Sequence, residues 1–384
     1  MPTEMTVPGD GVSGPNTRPF PGVDRIVVLC GGGMGDLLLA LPAVQALAAA
    51  YPAARITLLG SALQAALLCS RPGPVADVRV LAPPGGRAEA EQLADIGSEG
   101  VDLGVALHGG DGWSNHLLWR IGARWTVGFQ PAGAVPAARS ATFRYYQHEM
   151  IRALEVVAAA GAPAVTLEPH LVSTPADAMA AAKLTEGLSG PIVTIHPSAA
   201  DSRRRWPAGK FAEVIGHCVR TGATVFLVGG GTDRDLLRDI VGRLPAREAR
   251  RVRCLVGSDM TRLCGLLTRT TVFVGNDSGP RHLARALGVP TVGIFWIGDL
   301  VSAGPLNRSH DRVLTAWTTR CEVCGVTLTD DGVPRCDHDG SIVAAVAVAD
   351  VCREVDAFLG GAVVFLRSVA QRPSAPTPPT ADLP

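Results

Sequence analysis

The chain has 384 residues, and its 35 Lys plus Arg balance 35 Asp plus Glu, so it is neutral at pH 7 when histidine is uncharged. At about 150 residues per domain, this length predicts two to three domains with room for a real core, and we expect two. A neutral chain with a charged fraction of 18% is untypical of proteins that bind the phosphate backbone of nucleic acids. Its one dense basic run, Arg203-Arg204-Arg205, suits a single small anion better.

Hydrophobic residues make up 47% of the chain and few are aromatic, a composition typical of an α/β protein. The most apolar region, residues 26–50, is interrupted by glycines, Asp36 and Pro42, so no membrane-spanning helix is predicted and at most peripheral membrane contact is expected. The first 20 residues lack the apolar core of a signal peptide. Nine cysteines, an odd number, do not read as a disulfide framework and predict a reducing cytoplasm.

The first half of the chain alternates short apolar strands with Ala- and Leu-rich helices. Residues 1–22 are rich in Pro, Gly, Ser and Thr and are predicted to be a disordered tail. The first domain, residues 23–175, follows. Its clearest predicted elements are a strand at 25–31, a helix from Asp36 to Ala50, a strand at 55–61 with a helix after it, and a strand at 101–109. This alternation is typical of a parallel sheet covered on both faces.

The same alternation restarts after a weak linker at residues 174–190 and predicts a second domain over residues 188–359. Its predicted elements are strands at 191–197, 223–231, 271–277 and 289–296, and helices at 211–221, 234–244 and 341–359. The last segment, residues 367–384, contains five prolines and is predicted to be disordered. Because open parallel sheets bind ligands at the carboxyl ends of their strands, two such sheets that face each other predict one shared cleft.

A glycine-rich loop, residues 30–37, follows the first predicted strand and opens a helix. Its backbone N–H groups and the positive end of the helix can face an anion. The loop does not match the dinucleotide fingerprint G-x-G-x-x-G, because Asp36 stands near the helix start, where a carboxylate would repel a pyrophosphate. Asp36 is therefore either an acid favoured by the helix dipole or a general base at the mouth of the cleft.

Two strand ends of the second domain carry groups suited to a diphosphate and a sugar. In residues 196–207, Ser198 and the three arginines can grip a diphosphate through charge-assisted hydrogen bonds, or they form a solvated basic loop. In residues 229–235, Gly230 permits close backbone approach and Asp233 can accept a ribose or sugar hydroxyl. The alternative for Asp233 is an ordinary cap in the turn from strand to helix.

The richest strand end is residues 274–288. Four consecutive small or polar residues end its strand, and a histidine follows one turn into the next helix: Asn276, Asp277, Ser278, Gly279 and His282. Asp and Ser at a helix start are common as a plain cap. Together with the Gly-Pro pair and the histidine, they indicate a ligand site instead.

These segments together resemble glycosyltransferase family 9, which contains the bacterial lipopolysaccharide heptosyltransferases. The resemblance covers residues 24–359 and is carried by His-Pro-Ser at 196–198, Arg-Arg-Trp-Pro at 204–207, Val-Gly-Gly-Gly at 228–231 and Asn-Asp-Ser-Gly-Pro-Arg-His at 276–282. In the first half, Gly35-Asp36 followed by Leu41-Pro42-Ala43 is similar to the amino-terminal element of that family.

The resemblance implies an α/β protein with the GT-B fold, two Rossmann-like domains that face each other across a cleft. It implies that the first domain binds mainly the acceptor, a glycan, glycolipid or small molecule, and the second a nucleoside-diphosphate sugar such as ADP-heptose. The implied reaction is sugar transfer with inversion at the anomeric carbon, with no cofactor or metal required for catalysis. Asp36 would be the base that deprotonates the acceptor hydroxyl.

The resemblance also implies a set of donor contacts, namely Ser198, Arg204, Asp233, Asp277, Ser278, Gly279 and His282. Their neighbours at the same strand ends are further candidate donor contacts from their position: Arg205, Gly230 and Asn276. The sequence departs from the family pattern at the basic position, which is usually Lys in K-x-W. A second hydroxyl expected after Ser198 is replaced by Ala199. On the acceptor side, His108 at a strand end and Asn115 on the Gly-rich loop after it are candidate contacts from their position alone.

A cysteine cluster near the end of the second domain is a separate candidate site. Cys321-x-x-Cys324 and Cys336-x-His338 offer three thiols and an imidazole within 18 residues. This set suits a tetrahedral structural zinc, although the C-x-H half is tighter than the C-x-x-C of a zinc ribbon. Free thiols or a local disulfide are the alternatives. The remaining cysteines include three in apolar settings that are predicted to be buried hydrophobes: Cys30, Cys218 and Cys264.

Three other functions compete with a transferase. A nucleotide-sugar epimerase would need the donor site without an acceptor. An NAD-dependent oxidoreductase is disfavoured because neither glycine loop reads G-x-G-x-x-G. A non-catalytic nucleotide-sugar binding protein is disfavoured because Asp36, Arg204, Asp277 and His282 are all present.

Overall fold

The computed structural model describes residues 17–107, 112–330 and 332–370, with side chains described as far as residue 360. The first domain contains these elements in chain order: β1 Arg25–Leu29, α1 Met34–Ala50, β2 Arg55–Gly60, α2 Ala62–Leu68, β3 Asp77–Val80, α3 Arg87–Ser98, β4 Leu103–Ala106, α4 Trp113–Ile121, β5 Trp125–Phe129, β6 Arg139–Ala141 and α5 Glu149–Ala159. Its described strands form one sheet in the order β3-β2-β1-β4-β5-β6.

The remaining elements, in chain order, are α6 Pro175–Thr185, β7 Ile192–His196, α7 Ala208–Arg220, β8 Thr224–Gly229, α8 Arg234–Gly242, α9 Ala246–Ala249, β9 Val252–Val256, α10 Met260–Thr268, β10 Val272–Asn276, α11 Gly279–Ala286, β11 Thr291–Trp296, α12 Ile297–Ala303, β12 Asp311–Ala316 and α13 Val348–Ala370. Their sheet has the order β12-β11-β10-β7-β8-β9. All neighbouring strands in the two described sheets pair in parallel, as predicted.

The central strands have the near-continuous apolar sequence that burial on both faces requires. In β1, Ile26, Val27, Val28 and Leu29 are all buried. Each sheet reverses its winding once, between β1 and β4 in the first and between β7 and β10 in the second. Such reversal points open a crevice at the carboxyl ends of the strands. The loops after β1, β7 and β10 therefore lie where ligands bind in this class of fold.

A helix occupies most of the segment predicted as a linker. Helix α6 begins after Thr174, whose hydroxyl accepts a hydrogen bond from the backbone N–H of Asp177, while the Asp177 carboxylate accepts one from the N–H of Thr174. This reciprocal cap, with Pro175 at the first helical position, starts a helix even where the apolar pattern is weak. The sequence analysis did not predict this helix because it neglected the capping sequence.

The predicted tails overlap the described part of the chain at residues 17–22 and 367–370. Phe20 is buried and stacks on Trp125 at 4.9 Å between ring centroids, with the Arg139 guanidinium over its other side. This aromatic anchor orders the chain ahead of β1, and residues 1–16 lie outside the described part. At the other end, α13 continues to Ala370, and residues 371–384 are likewise outside it.

The last helix begins seven residues later than predicted. Between 341 and 347 the chain is not helical, and Ile342, Val343 and Val346 pack into the core of the second domain. The N–H of Ile342 donates to the carbonyl of Arg203 at 2.8 Å. Tertiary contacts thus override the helical pattern of this apolar segment. In its described part, α13 packs on the second domain, against α7 and β10 to β12.

The two domains share one apolar core. A single cluster of buried side chains includes Leu37 and Leu41 of α1 in the first domain and Leu266 and Leu283 of α10 and α11 in the second. Cys30, Cys218 and Cys264 are buried, as predicted. No helix in the described part of the chain is both long and apolar enough to cross a bilayer.

The amino-terminal ends of α1 and α11 meet at the domain junction, and glycines permit this approach. A Cβ on Gly279 would lie 3.0 Å from the Cβ of Met34, and one on Gly35 would lie 3.3 Å from the imidazole of His282. Side chains larger than hydrogen would therefore push the two helices apart. The junction brings the helix start that carries Asp36 against the helix start that follows Asp277.

Candidate active site

A cleft of about 1490 Å³, open solvent at its mouth included, lies between the carboxyl edges of the two sheets. The loop after β1 lines one wall, and loops after β7, β8, β10 and β11 line the other. Most of the predicted site residues line this cleft, namely Asp36, Ser198, Arg204, Arg205, Asp233, Asp277, Ser278, Gly279 and His282. The structure therefore brings together side chains that are up to about 240 residues apart in sequence.

Asp36 lies on the first turn of α1 and is exposed to the cleft. One of its carboxylate oxygens, Oδ2, accepts a hydrogen bond of 2.6 Å from the backbone N–H of Gly33. Gly32 has a φ of +78°, and a Cβ there would lie 2.3 Å from that same oxygen. Asp36 is thus both the acid at the helix start and an accessible carboxylate in the cleft. A capping role and a role as general base are therefore compatible.

The three arginines after β7 have different partners. Arg203 turns away and binds Asp201, with 2.7 Å between Nη2 and Oδ2, and it does not line the cleft. Arg204 lines the cleft and donates to Asp299 at 3.0 Å. Arg205 uses Nε to bind the carbonyl of Ala199 at 3.0 Å. Its two terminal nitrogens have no hydrogen-bond partner in the described part of the chain, so Arg205 presents an uncommitted cation to the cleft.

Ser198 and Asp233 form a bonded pair at the edge of the cleft. The Ser198 hydroxyl donates to Oδ1 of Asp233 at 2.7 Å, and Oδ2 of Asp233 accepts the N–H of Gly230 at 2.8 Å. Gly230 does not line the cleft. The backbone N–H of Gly230 is therefore already bonded to Asp233, which acts as a turn cap, and is not available to a nucleotide-sugar.

Asp277 and His282 are joined by a third residue, Arg281, that sequence analysis did not single out. Oδ1 of Asp277 lies 2.8 Å from Nη2 of Arg281 and 3.1 Å from Nε2 of His282. Burial favours the neutral carboxyl, but the hydrogen bond from His282 and the charge of Arg281 outweigh it and hold the pKa of Asp277 well below its usual range. Burial and the charge of Arg281 also lower the pKa of His282, so its ring is neutral at pH 7.

Arg281 is fully buried, and its guanidinium lies 4.5 Å from the centre of the Phe295 ring while also donating to the carbonyl of Ala303. A spacing of four residues from Asp277 on a helix start could have indicated this ion pair. Its burial under β11 depends on the packing of the whole domain.

Asn276 is a structural residue, which corrects its prediction as a donor contact. Its side chain is fully buried, accepts the backbone N–H of Trp206 at 3.0 Å and donates to the carbonyl of Pro197 at 2.8 Å. Both polar atoms of Asn276 thus bond to the backbone at the two ends of residues 197–206, here called the arginine loop, and tie this loop to β10.

His196, the first residue of the His-Pro-Ser motif, lines the cleft. Its Nδ1 lies 3.1 Å from the hydroxyl of Ser278, and burial lowers the pKa of this imidazole to about 4. A neutral ring at this position can exchange a hydrogen bond with Ser278 but adds no positive charge to the cleft.

Asp299, at the start of α12, is a cleft residue that sequence analysis missed. Burial raises its pKa to about 6 even though Arg204 lowers it, and Asp277 adds to the rise. Its Oδ2 is buried without a hydrogen-bond partner among the described residues. Nothing in the short sequence Ile-Gly-Asp distinguishes this acid from a helix cap, so only packing places it beside Arg204.

The two candidate acceptor contacts in the first domain are not confirmed. His108 lies outside the described residues. Asn115 is buried on α4, and its Nδ2 donates to the carbonyl of Phe129 at 2.8 Å. A Cβ on Gly128 would lie 2.7 Å from Oδ1 of Asn115. Asn115 therefore fastens the end of β5, and it does not line the cleft. The cleft wall of the first domain does include Glu149 at the start of α5.

The cysteine cluster lies beyond the cleft, on the connection between β12 and α13. The ligand atoms of Cys321, Cys324, Cys336 and His338 all lie within 4.8 Å of one another. This is the one such group in the part of the chain that the structure describes.

Comparison with known proteins assigns this arrangement to a family. The model of glycosyltransferase family 9 (heptosyltransferase) matches residues 107–327, more than half of the chain. Lipooligosaccharide heptosyltransferase 2 of Campylobacter jejuni is 28% identical over 124 residues, which are 32% of this chain and 39% of that protein. Lipopolysaccharide heptosyltransferase 3 of Escherichia coli K12 is 30% identical over 133 residues, 34% of this chain and 37% of that protein. The matched segments thus span less than two fifths of these relatives.

Solved structures share the fold over most of the chain. A family 9 glycosyltransferase from Veillonella parvula has a TM-score of 0.73 at 20% identity, covering 88% of this chain and 98% of that one. Escherichia coli ADP-heptose lipopolysaccharide heptosyltransferase II has a TM-score of 0.71 at 19% identity, covering 88% and 99%. These likenesses confirm the GT-B fold, with two Rossmann-like domains facing across a cleft.

Proposed function

Because the chain belongs to glycosyltransferase family 9, we propose that it transfers a sugar from a nucleoside-diphosphate donor to an acceptor hydroxyl. One observation carries this proposal. An exposed carboxylate from the first domain, Asp36, faces the same cleft as the cationic and polar groups of the second domain. A base on one wall and an anion site on the other are what a two-substrate transfer requires.

The donor diphosphate is assigned to the arginine loop and the start of α11. Arg205 offers a guanidinium with free terminal nitrogens, and Arg204 stands beside it in its pair with Asp299. The backbone N–H groups at the start of α11, near Ser278 and Gly279, add the positive end of a helix. Relatives named as ADP-heptose heptosyltransferase and as a heptosyltransferase with ADP favour ADP-heptose as the donor.

The proposed reaction is a single displacement at the anomeric carbon. Asp36 takes the proton of the acceptor hydroxyl as its oxygen forms a bond to C1 of the donor sugar, and the bond from C1 to the diphosphate oxygen breaks on the opposite side. The result is inversion, and the leaving diphosphate carries away the electron pair. Arg204 and Arg205 stabilise the charge that develops on it. Since these cations come from side chains, no metal ion is needed at the reacting atoms.

The acceptor side is assigned only by class: a glycan, a glycolipid or a small molecule with a free hydroxyl. The acceptor would lie against the cleft wall of the first domain, where α1 and α5 contribute Asp36, Leu39 and Glu149. Among relatives, the acceptor named is lipopolysaccharide or lipooligosaccharide. Relatives from Campylobacter jejuni and Escherichia coli favour a bacterial enzyme, and cysteines that form no disulfide favour a cytoplasmic one.

Calorimetric titration of the purified chain with ADP, UDP and GDP tests the donor site. We expect ADP to bind selectively, and turnover of ADP-heptose with a lipopolysaccharide-core acceptor to be insensitive to added Mg²⁺ or Mn²⁺. Binding of none of the three nucleotides would overturn the donor assignment. Binding of ADP-heptose without transfer to a glycan, glycolipid or small-molecule acceptor would instead favour a nucleotide-sugar binding protein.

A further inference from the structure

The connection between β12 and α13, residues 317–347, has its buried apolar side chains near its end, at Ile342, Val343 and Val346. Among its described residues it contains no helix or strand, only an isolated antiparallel bridge between Arg320 and Thr327. Trp317 and Val323 are 71% and 72% exposed, so apolar burial holds residues 317–327 only weakly. Unstructured connections longer than about 15 residues in compact domains usually have some other constraint or a function.

The cysteine cluster lies at the centre of this connection and has the geometry of a metal site. The Sγ of Cys321 is 3.7 Å from Nδ1 of His338. A tetrahedral zinc with Zn–S of about 2.3 Å and Zn–N of about 2.1 Å gives S···N edges of roughly 3.6 Å and S···S edges of roughly 3.8 Å. The longest separation in the cluster is within 4.8 Å, so about an ångström of side-chain movement completes the tetrahedron.

The first two ligands are presented by a preformed turn. The N–H of Gly325 donates to the carbonyl of Cys321 at 2.9 Å, and Gly325 has a φ of +72°, which glycine adopts without strain. The turn therefore places the Sγ atoms of Cys321 and Cys324 within 4.8 Å of each other, where one ion can bind both.

From these contacts we propose that Cys321, Cys324, Cys336 and His338 bind one zinc ion as a closed structural site. Three thiolates and an imidazole form a tetrahedral donor set typical of structural zinc sites, and four protein ligands leave no open position for chemistry. A disulfide would use two of the sulfurs and leave the third thiol and the imidazole without a role. Metal binding also supplies folding free energy to the part of the connection before Ile342, where little apolar surface is buried.

The zinc site is joined to the arginine loop through residues that flank its ligands. Arg335, next to Cys336, reaches Asp201 at 3.6 Å. Asp339, next to His338, accepts the hydroxyl of Ser202 at 2.9 Å. Ordering of these ligands by the metal therefore also orders both partners on the loop.

Two further hydrogen bonds continue this contact along the loop. The N–H of Ile342 donates to the carbonyl of Arg203 at 2.8 Å, and the hydroxyl of Ser341 donates to the carbonyl of Arg205 at 2.7 Å. The zinc ion thus holds the backbone that aims Arg204 and Arg205 into the cleft. This second step rests on the proposed function, whereas the zinc site does not.

The zinc site is tested by elemental analysis of the full chain purified without chelator, for zinc and iron together. We expect one zinc per chain, lost in Cys324→Ser and kept in Cys254→Ser, a matched control at an exposed cysteine on β9. Cobalt added to the chelator-treated wild type should give the visible absorption of a tetrahedral thiolate complex, which needs no variant to fold. Absence of stoichiometric metal and of this absorption would overturn the site, and iron in place of zinc would overturn the choice of ion.

The coupling is tested by ADP titration of the zinc-loaded chain, the chelator-treated chain and the chelator-treated chain with zinc restored. We expect ADP affinity to fall at least tenfold without zinc and to return with it, while circular dichroism shows both domains still folded. Equal affinity with and without zinc would overturn the coupling and leave the metal site standing. Failure of even the zinc-loaded chain to bind ADP would instead overturn the donor assignment, because metal content is measured independently.

Discussion

Most ionisable side chains that line the cleft bond to another polar or charged side chain. These bonds determine which of them remain available for proton transfer or for donor binding. Asp277 is committed to Arg281 and His282 and stays ionised. Arg204 is shared with Asp299. Asp36 and Arg205 are the two exceptions, since each keeps atoms directed at the cleft. We therefore expect substitutions at these two positions to affect chemistry and donor binding more than folding.

Asp36→Asn should lower turnover by about 10²–10⁴-fold and leave ADP affinity nearly unchanged, because the amide keeps the acceptor for the Gly33 N–H but cannot take a proton. Steady-state rates and ADP titration measure the two effects separately. Asp235→Asn, an exposed acid on α8, serves as the control. Wild-type turnover in Asp36→Asn would remove this residue as the base.

Arg205→Ala should weaken ADP binding by about 10- to 150-fold, the equivalent of losing a charged hydrogen bond worth roughly 1.5–3 kcal/mol. Arg243→Ala, at an exposed arginine paired with Asp239 on the protein surface, should change it by less than twofold. Calorimetry of both variants at constant ionic strength gives the comparison. Equal affinities in the two variants would exclude Arg205 as a phosphate contact.

Asp299 should make donor binding depend on pH. Its raised pKa of about 6 means that this carboxyl is charged above pH 6 and neutral below it. Loss of the negative charge beside Arg204 favours a bound diphosphate, so affinity rises as pH falls through 6. The gain should be severalfold, because a diphosphate bound beside Arg204 is no longer repelled by a neighbouring negative charge.

The ratio of wild-type to Asp299→Asn affinity for ADP, measured from pH 5 to pH 7.5, isolates this contribution from the titration of ADP itself. We expect the ratio to change with an inflection near pH 6. A ratio independent of pH would show that Asp299 does not titrate beside the donor.

Among helices and strands, the contact between the starts of α1 and α11 has the greatest bearing on function. It joins the element that carries the proposed base to the one that faces the donor, and it depends on Gly35 and Gly279.

Strand positions were predictable because apolar runs between glycine turns specify buried parallel strands. Helix α6 was missed since its signal is a cap at Thr174 and Asp177, not a periodic apolar face.

Gly279→Ala should lower turnover more than ADP affinity, because the added Cβ meets Met34 at 3.0 Å and moves α1 away from the donor wall. The melting temperature should also fall by a few degrees. Gly242→Ala, at the end of α8 with open space around it, should be neutral or slightly stabilising. Unchanged kinetics in Gly279→Ala would show that the junction tolerates separation without consequence for the site.

The two domains are joined by a buried ion pair as well as by their shared core. Arg71, after α2, binds Asp177 of α6 at 2.7 Å, and their side chains are 5% and 1% exposed. Arg71 also donates to the carbonyl of Val172. Removal of one partner from such a pair leaves a buried charge without compensation. The relative position of the domains, and with it the width of the cleft, depends on this contact.

Arg71→Ala should lower the free energy of unfolding by about 3–5 kcal/mol. Arg87→Ala removes an exposed pair with Glu91 and should cost less than about 1 kcal/mol. Urea unfolding of both variants, followed by tryptophan fluorescence, provides the measurement. Equal losses of unfolding free energy in the two variants would indicate that the helix cap at Thr174 alone stabilises the buried charge of Asp177.

Local sequence specified the α/β class, the tandem sheets, the ligand-binding strand ends and the family resemblance, because apolar runs, glycine turns and motif spacing act over a few residues. It also selected nine residues that the structure brings together along the cleft, although their roles there stay predictions. Local sequence could not show that the side chains of Asn276 and Asn115 donate to backbone carbonyls. It also could not show that Arg204 pairs with Asp299, 95 residues away, or that Arg205 keeps its terminal nitrogens without a partner among the described residues. Those outcomes follow from packing, since the partner of a polar group is set by which distant elements the core brings into contact.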